Sequence, residues 1–143
     1  MGKDLERAIE LLNGHKEYTC VFVKWETVFT STRNGIAPLL SFVEEGKDVS
    51  SFSVADRIVG KAASLLYVDL KIEEVYGEVM SFRGKEILEK YRIPYSYKNL
   101  VEGIRNRTNT GSCPMEMAVK DIEDPSQAPK ILKETIDKLR KGK

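Results

Sequence analysis

The chain has 143 residues, of which 41% are hydrophobic and 31% are charged, and this length and composition predict one domain over residues 1–143 with a buried core. Lys and Arg total 23 against 22 Asp and Glu, a formal net charge of +1. No field over the whole molecule therefore directs the chain to nucleic acid or to a membrane surface. Any binding surface is expected to be local.

Composition also indicates the cellular compartment of the protein and the kind of organism it comes from. The two cysteines, Cys20 and Cys113, are too few for a disulfide framework and fit a reducing compartment. The charged beginning carries no apolar signal region, and no apolar run reaches the length of a membrane span, so we expect a cytoplasmic protein without a membrane anchor. Gln127 is the only glutamine among many Lys and Glu residues, a composition typical of heat-adapted proteins.

The first half of the chain predicts a helix, a hairpin and a second helix. Asn13-Gly14 and Gly46 suit the left-handed turn that ends a helix, and each follows a run with apolar residues at helical spacing. Between these runs lie two short stretches rich in β-branched and aromatic residues, which are typical of strands. The predicted elements are a helix over 5–12, strands over 18–23 and 27–30, and a helix over 36–43, followed by a loop over 47–52.

In the second half, strands and helices alternate. The longest predicted helix covers 54–68, with Ser53 and Asp56 placed as a capping box at its start. Alternation after an opening hairpin predicts an α/β fold, a three-layer α/β/α sandwich with a mixed sheet of about four or five strands. The remaining predicted elements are a strand over 74–80, a helix over 84–91, a short strand over 95–97, and helices over 114–122 and from 124 onward.

The segment Val54-Ala55-Asp56 resembles the first active-site turn of zinc-dependent cytidine deaminases. In those enzymes a His or Cys, then Ala, then Glu open a helix; the first residue holds Zn²⁺ and the Glu transfers protons. Val54 cannot coordinate a metal, and the place of the second motif, residues 81–86, holds no Cys or His. The resemblance therefore implies the cytidine deaminase-like fold without a zinc site.

A closer resemblance rests on two segments, Asp56 to Ala63 and Cys113-Pro114-Met115-Glu116. Together they make the chain similar to a family of small uncharacterised prokaryotic proteins that have the cytidine deaminase-like fold and lack the zinc site. No activity is established for that family, so the resemblance implies a fold and no reaction. It also implies a tendency to form homo-oligomers, which deaminase-like domains often do.

Two groups of residues are candidates for a ligand site. Asp56, Arg57 and Lys61 lie on the predicted helix over 54–68, where Asp56 either caps the helix or stands at a pocket rim. Arg57 and Lys61 either form surface ion pairs or meet a ligand.

The second group is the polar turn Thr110-Gly111-Ser112-Cys113, followed by Glu116. This turn leads into a predicted helix, where free N–H groups and hydroxyls either bind an anion or cap the helix. We therefore expect a nucleotide or related anionic small molecule as the ligand, with no zinc and no other cofactor. Two alternatives remain open: a thiol-dependent enzyme or sulfur carrier that uses Cys113 with Glu116 or Ser112, and a non-catalytic interaction scaffold.

Overall fold

A mixed sheet forms the centre of the fold. The computed structural model describes residues 2–105, 111 and 113–141, and in these ranges five strands pair in the order β2-β1-β3-β4-β5. Strand β1 is antiparallel to both β2 and β3, whereas β3, β4 and β5 are parallel to one another. The strands are β1 Cys20–Lys24, β2 Thr27–Ser31, β3 Ser53–Val59, β4 Glu74–Ser81 and β5 Tyr95–Val101.

Helices cover both faces of the sheet. Helix α1 packs on one face, where Ala8 and Leu12 contact a cluster that includes Val21, Val23 and Ala55. On the other face, α2, α3, α4 and α6 bury the larger cluster. None of the helices in the described ranges is long and apolar enough to cross a membrane. The helices are α1 Lys3–Gly14, α2 Ala37–Glu45, α3 Lys61–Asp69, α4 Phe82–Lys90, α5 Pro114–Ala118 and α6 Ala128–Lys141.

The turn between β1 and β2 is fixed to the beginning of α1. Trp25 in this turn has a φ of 56°, a left-handed conformation that a bulky residue seldom adopts, and its side chain is 78% exposed. Its backbone N–H donates to the Asp4 carboxylate at 3.2 Å, and its carbonyl accepts from the Arg7 guanidinium at 3.1 Å. These two hydrogen bonds hold the turn in its strained conformation.

The predicted helix over 54–68 is wrong in its first half. Ser53–Val59 is the strand β3, and α3 begins only at Lys61, after Gly60. Ser53 pairs with Val23 of β1 and with Glu74 of β4, so there is no capping box with Asp56. Both faces of β3 are covered by helices, and a strand buried on both faces lacks the alternation of apolar and polar residues that distinguishes it from a buried helix.

Most other predicted elements are confirmed, and the differences are in length. The first helix, the hairpin, the helix that ends at Gly46, the strand over 74–80, the helix that follows it and the final helix all form. The predicted strand over 95–97 continues to Val101, and the predicted helix over 114–122 ends at Ala118. The sandwich with a mixed sheet is confirmed in its general form.

Candidate functional site

The carboxyl ends of β3 and β4 bring two helix starts together. Helix α3 begins directly after β3 and α4 directly after β4. A Cβ atom on Gly84, in the first turn of α4, would lie 2.9 Å from the carbonyl carbon and oxygen of Gly60, so only glycine allows this approach. In open α/β sheets, ligands bind outside the carboxyl ends of the strands. A ligand site is therefore expected at this edge of the sheet.

The start of α3 is occupied by a carboxylate of the chain itself. Glu116 on α5 accepts hydrogen bonds from the backbone N–H groups of Lys61 and Ala62, both at 2.7 Å. Burial raises the pKa of Glu116, against the opposing effects of these two hydrogen bonds and the Lys61 charge. A Cβ on Gly60 would lie 2.6 Å from the Glu116 Cδ atom, so glycine at this position makes room for the carboxylate. Glu116 therefore joins α5 to the first turn of α3.

Lys61 is a buried cation at the same place. Its side chain is 5% exposed, and its ammonium group donates to the backbone carbonyl of Lys120 at 2.9 Å. The Glu123 carboxylate is 3.8 Å from this ammonium and 3.7 Å from that of Lys90. Because Glu123 is 61% exposed and both distances are long, these ion pairs contribute little energy. Lys61 is held in place chiefly by packing and by its hydrogen bond to the Lys120 carbonyl.

Lys61 and Arg83 together line two depressions, which we call the apolar lobe and the polar lobe. The apolar lobe has a volume of about 180 Å³ and the polar lobe about 340 Å³. Arg83 is exposed, and its guanidinium has no hydrogen-bond or ion-pair partner in the described part of the chain. The apolar lobe is also lined by Ser81, Gly103, Ile104, Glu116, Met117 and Lys120. The polar lobe is also lined by Glu86, Ile87, Lys90 and Glu123.

Asp56 lies inside the fold, away from both lobes. It is in the middle of β3 and 7% exposed, which differs from its predicted place at a helix start. The Tyr67 hydroxyl donates to its Oδ2 at 2.5 Å and the Ile58 N–H donates to its Oδ1 at 3.2 Å. Burial raises the pKa of Asp56 to about 7, although both hydrogen bonds act in the opposite direction. The Asp56 carboxyl is thus a hydrogen-bonded group of the core.

Arg57 uses its guanidinium within the fold. It donates to the backbone carbonyls of Leu12 at 2.7 Å, His15 at 3.1 Å and Tyr18 at 3.0 Å. It also forms an ion pair with Glu78 at 2.8 Å. Arg57 therefore fastens the end of α1 to the sheet, and none of these contacts faces either lobe.

The candidate turn before α5 is described only in part. Thr110 and Ser112 lie outside the described residues, and Gly111 and Cys113 are half-buried. The Cys113 N–H donates to the Ile104 carbonyl at 2.9 Å, which fixes the beginning of α5. Cys113 and Gly111 do not line the lobes. Of the predicted site residues, the structure brings together Lys61 and Glu116.

Sequence reasoning missed every residue that lines the lobes except Lys61 and Glu116, and Arg83, Met117 and Lys120 are among those missed. Arg83 had a usable signal, since it follows the predicted strand over 74–80 by three residues, where the carboxyl edge of a parallel sheet lies. Met117 and Lys120 share the short segment of Glu116 and carry no motif. Within the described ranges, no group of three or more His, Cys, Asp and Glu side chains could hold a metal ion.

Fold and site together define an α/β protein with a cationic cleft at the carboxyl edge of a mixed sheet. A model of the family TM1506, a domain of unknown function (DUF1893), matches residues 7–136, and the chain belongs to this family. No curated protein matches the chain.

A solved structure of the same family shares the fold. The crystal structure at 2.70 Å of a DUF1893 family protein, TM1506, from Thermotoga maritima matches the chain with a TM-score of 0.84 and 21% sequence identity. The match covers 94% of this chain and 91% of that chain. At this level of identity the likeness shows the fold alone. The expected membership of an uncharacterised family is confirmed.

Proposed function

We propose that the chain binds a small anionic molecule of the nucleotide type in the cleft formed by the two lobes. The observation that carries the proposal is that two cations line the same partly apolar depression: the buried Lys61 ammonium and the Arg83 guanidinium, which has no partner among the described residues. Arg presents a planar fork of donors that matches phosphate oxygens, and a nearby Lys adds a point charge. Lys120 adds a third cation to the apolar lobe.

The wall of the apolar lobe suits the ring of such a ligand. Ile104 is half-buried and Met117 is 65% exposed, so a flat apolar group placed here would cover surface that is now in contact with solvent. Methionine adapts its shape to irregular partners and packs well against aromatic rings. The polar lobe alone, at about 340 Å³, falls within the roughly 300–1,000 Å³ of small-molecule sites, and the apolar lobe adds about 180 Å³ to the cleft.

Side chains, rather than a helix start, would bind the anion. Glu116 already accepts from the N–H groups that begin α3, so those donors are used within the chain. The buried Ser81 hydroxyl accepts from the Gly84 N–H at 3.0 Å and lines the apolar lobe, which leaves its own hydrogen to donate. Ser81, Lys61 and Arg83 are the donors that this proposal assigns to the ligand.

The test is calorimetric titration with a panel of nucleotides, using wild type and Arg83→Ala. We expect saturable binding by wild type and an affinity about tenfold or more lower in Arg83→Ala, because a hydrogen bond to a charged group is worth about 1.5–3 kcal/mol. The matched control is Arg140→Ala, an exposed arginine on α6 that does not line the cleft. Folded wild type that binds no member of the panel would refute the proposal, as would equal affinity in Arg83→Ala.

We also propose that the fold is cytidine deaminase-like and lacks the zinc site. The strand order, with an antiparallel hairpin followed by three parallel strands, supports this classification. The helices that begin at the cleft open with Lys61-Ala62 and with Phe82-Arg83, none of which ligates zinc. A prokaryotic, thermophilic source, a cytoplasmic location and a homo-oligomer remain proposals based on composition and resemblance.

The thiol alternative gains no support from Glu116. The Glu116 carboxylate is bound to the backbone of α3, so it is not available to assist Cys113. Equal rates of labelling for native Cys113 and a free model thiol would count further against this alternative. The scaffold alternative predicts a stable protein partner whose binding does not change in Arg83→Ala.

A further inference from the structure

We infer that the ligand is a nucleoside diphosphate extended by a hydroxyl-rich group, with its ring in the apolar lobe and its hydroxyl-rich end in the polar lobe. This inference rests on the proposed function and specifies the class of ligand. It depends on the different types of residue that line the two lobes.

The lobes meet at a cationic junction. Lys61 and Arg83 line both of them, so an anionic group held by these two side chains has one lobe on each side. A ligand with its charge at one end would fill a single lobe. A ligand with its charge in the middle, such as a diphosphate with a substituent at each end, would fill both.

The lobes differ in what they can accept. The apolar lobe has Ile104 and Met117 on its wall, and its one carboxylate, Glu116, is already paired with two backbone N–H groups. The polar lobe is the larger and contains the carboxylates of Glu86 and Glu123, together with the Lys90 ammonium, which lies 3.7 Å from the Glu123 carboxylate. A ring therefore belongs in the apolar lobe, and a group with several hydrogen-bond donors belongs in the polar lobe.

Glu86 is the residue that selects hydroxyl groups in the polar lobe. Its side chain is exposed and has no hydrogen-bond or ion-pair partner in the residues that the structure describes. An ionised carboxylate only accepts hydrogen bonds, so it pairs with hydroxyls and repels a further phosphate. Carboxylates bind ribose hydroxyls in this way in nucleotide sites of other α/β folds. The polar lobe thus fits a sugar better than a terminal phosphate.

The experiment compares short and extended ligands that share a ring: ADP with ADP-ribose, and UDP with UDP-glucose. Affinities are measured by titration calorimetry on the full chain. In at least one pair we expect the extended compound to bind about tenfold or more tightly than the diphosphate, because one or two hydrogen bonds to a charged carboxylate are added. In Glu86→Ala this ratio of affinities is expected to fall towards one. The matched control is Glu134→Ala, an exposed glutamate on α6, which should keep the wild-type ratio.

The outcomes separate the inference from the proposed function. If a diphosphate binds in an Arg83-dependent manner but neither extended compound binds more tightly, the inference is overturned and the proposed function stands. The inference is also overturned if the ratio in Glu86→Ala equals that of wild type. If the folded chain binds none of the four compounds, the inference is overturned, and the proposed function is then decided by the full nucleotide panel. Circular dichroism establishes that each variant is folded.

Discussion

At the scale of single residues, the polar groups buried in this chain divide into those that serve the fold and those that open on the cleft. Asp56 and Arg57 serve the fold, since each makes its hydrogen bonds to other parts of the chain. Lys61 is as deeply buried as Asp56 but lines both lobes. All three are charged residues near one apolar stretch, and only the partners that the fold brings to each of them decide its role.

Asp56 should make the stability of the chain depend on pH. Its pKa is about 7 in the fold and near 3.8 when unfolded, so between these pH values the folded chain holds a proton that the unfolded chain has lost. The contribution of this group to the free energy of unfolding therefore falls as pH rises from about 4 to 7, by about 1.4 kcal/mol per unit. Asp56→Asn removes this loss: its amide oxygen can still accept from the Ile58 N–H, and its NH₂ group can donate to the Tyr67 oxygen in place of the bond that Tyr67 donates in wild type.

The measurement is urea unfolding of wild type and Asp56→Asn at pH 5 and pH 8. We expect Asp56→Asn to gain roughly 2.5 kcal/mol in the free energy of unfolding relative to wild type between pH 5 and pH 8, since about two pH units of this interval lie below the pKa of Asp56 in the fold. Asp48→Asn is the control, because Asp48 is exposed and hydrogen bonds from Ser50 lower its pKa below this interval. A difference between Asp56→Asn and wild type that is the same at both pH values would show that Asp56 does not titrate there.

At the scale of elements, sequence reasoning succeeded where a segment has one buried face. Helix α1 buries Leu5, Ala8 and Leu12 and leaves the opposite side in solvent, so its period is visible in the sequence. Strand β3 has no polar face, and its apolar residues continue into those of α3 across Gly60. Periodicity could not separate the two elements. Because the boundary between them was missed, Asp56 was predicted at a helix start and Lys61 two turns inside that helix.

The candidate site was only partly predictable for a related reason. Lys61 was a candidate as a charged residue on the predicted helix over 54–68, and Glu116 as part of the segment Cys113-Pro114-Met115-Glu116, but the two are 55 residues apart along the chain. Their contact depends on how α5 returns to the start of α3, which no local pattern encodes. Arg83 was predictable in principle from its place after a strand, whereas Met117 and Lys120 acquire a role only through the position of α5.

The contact between Glu116 and α3 predicts how firmly α5 is held. In Glu116→Gln one acceptor oxygen is replaced by an NH₂ group, which faces a backbone N–H and cannot accept from it. We expect a loss of about 1–3 kcal/mol and looser packing of α5. Cys113 immediately precedes this helix, so its reaction with a disulfide reagent should accelerate several-fold.

Two features make this thiol assay specific. Cys20 is 2% exposed and should remain unreactive in the folded chain, so the signal comes from Cys113. Glu123→Gln is the control, because Glu123 makes long, exposed ion pairs and contacts neither N–H group. Unchanged reactivity of Cys113 in Glu116→Gln would mean that this carboxylate does not hold α5 in place.

At the scale of the whole molecule, the two faces of the sheet are covered unequally. Helix α1 alone covers its face in the described ranges, while α2, α3, α4 and α6 share the other. The Arg57 guanidinium crosses from β3 to the end of α1 and donates to the carbonyls of Leu12 and His15, which also accept from the backbone N–H groups of His15 and Tyr18. The attachment of α1 to the sheet therefore depends on the Arg57 side chain more than on any other polar contact along this helix.

Arg57→Lys should loosen α1 without changing the net charge. Lysine keeps the cation but cannot reach three carbonyls and Glu78 at once, so we expect a loss of about 2–4 kcal/mol in the free energy of unfolding. Hydrogen exchange should increase across the last two turns of α1. Arg7→Lys is the control, because Arg7 makes one exposed hydrogen bond to Trp25. Equal protection of α1 in wild type and Arg57→Lys would contradict this account.

The strained hairpin turn determines what tryptophan fluorescence can report. Trp25 is the only tryptophan, and its indole is largely in solvent while its backbone is tied to Asp4 and Arg7. Its emission should be red-shifted already in the native state and should change little when the core is lost. Emission will instead follow local fraying between the hairpin and the first turn of α1. Fluorescence and circular dichroism are therefore expected to give different unfolding curves for one cooperative protein, a discrepancy that would otherwise be taken as evidence of a folding intermediate.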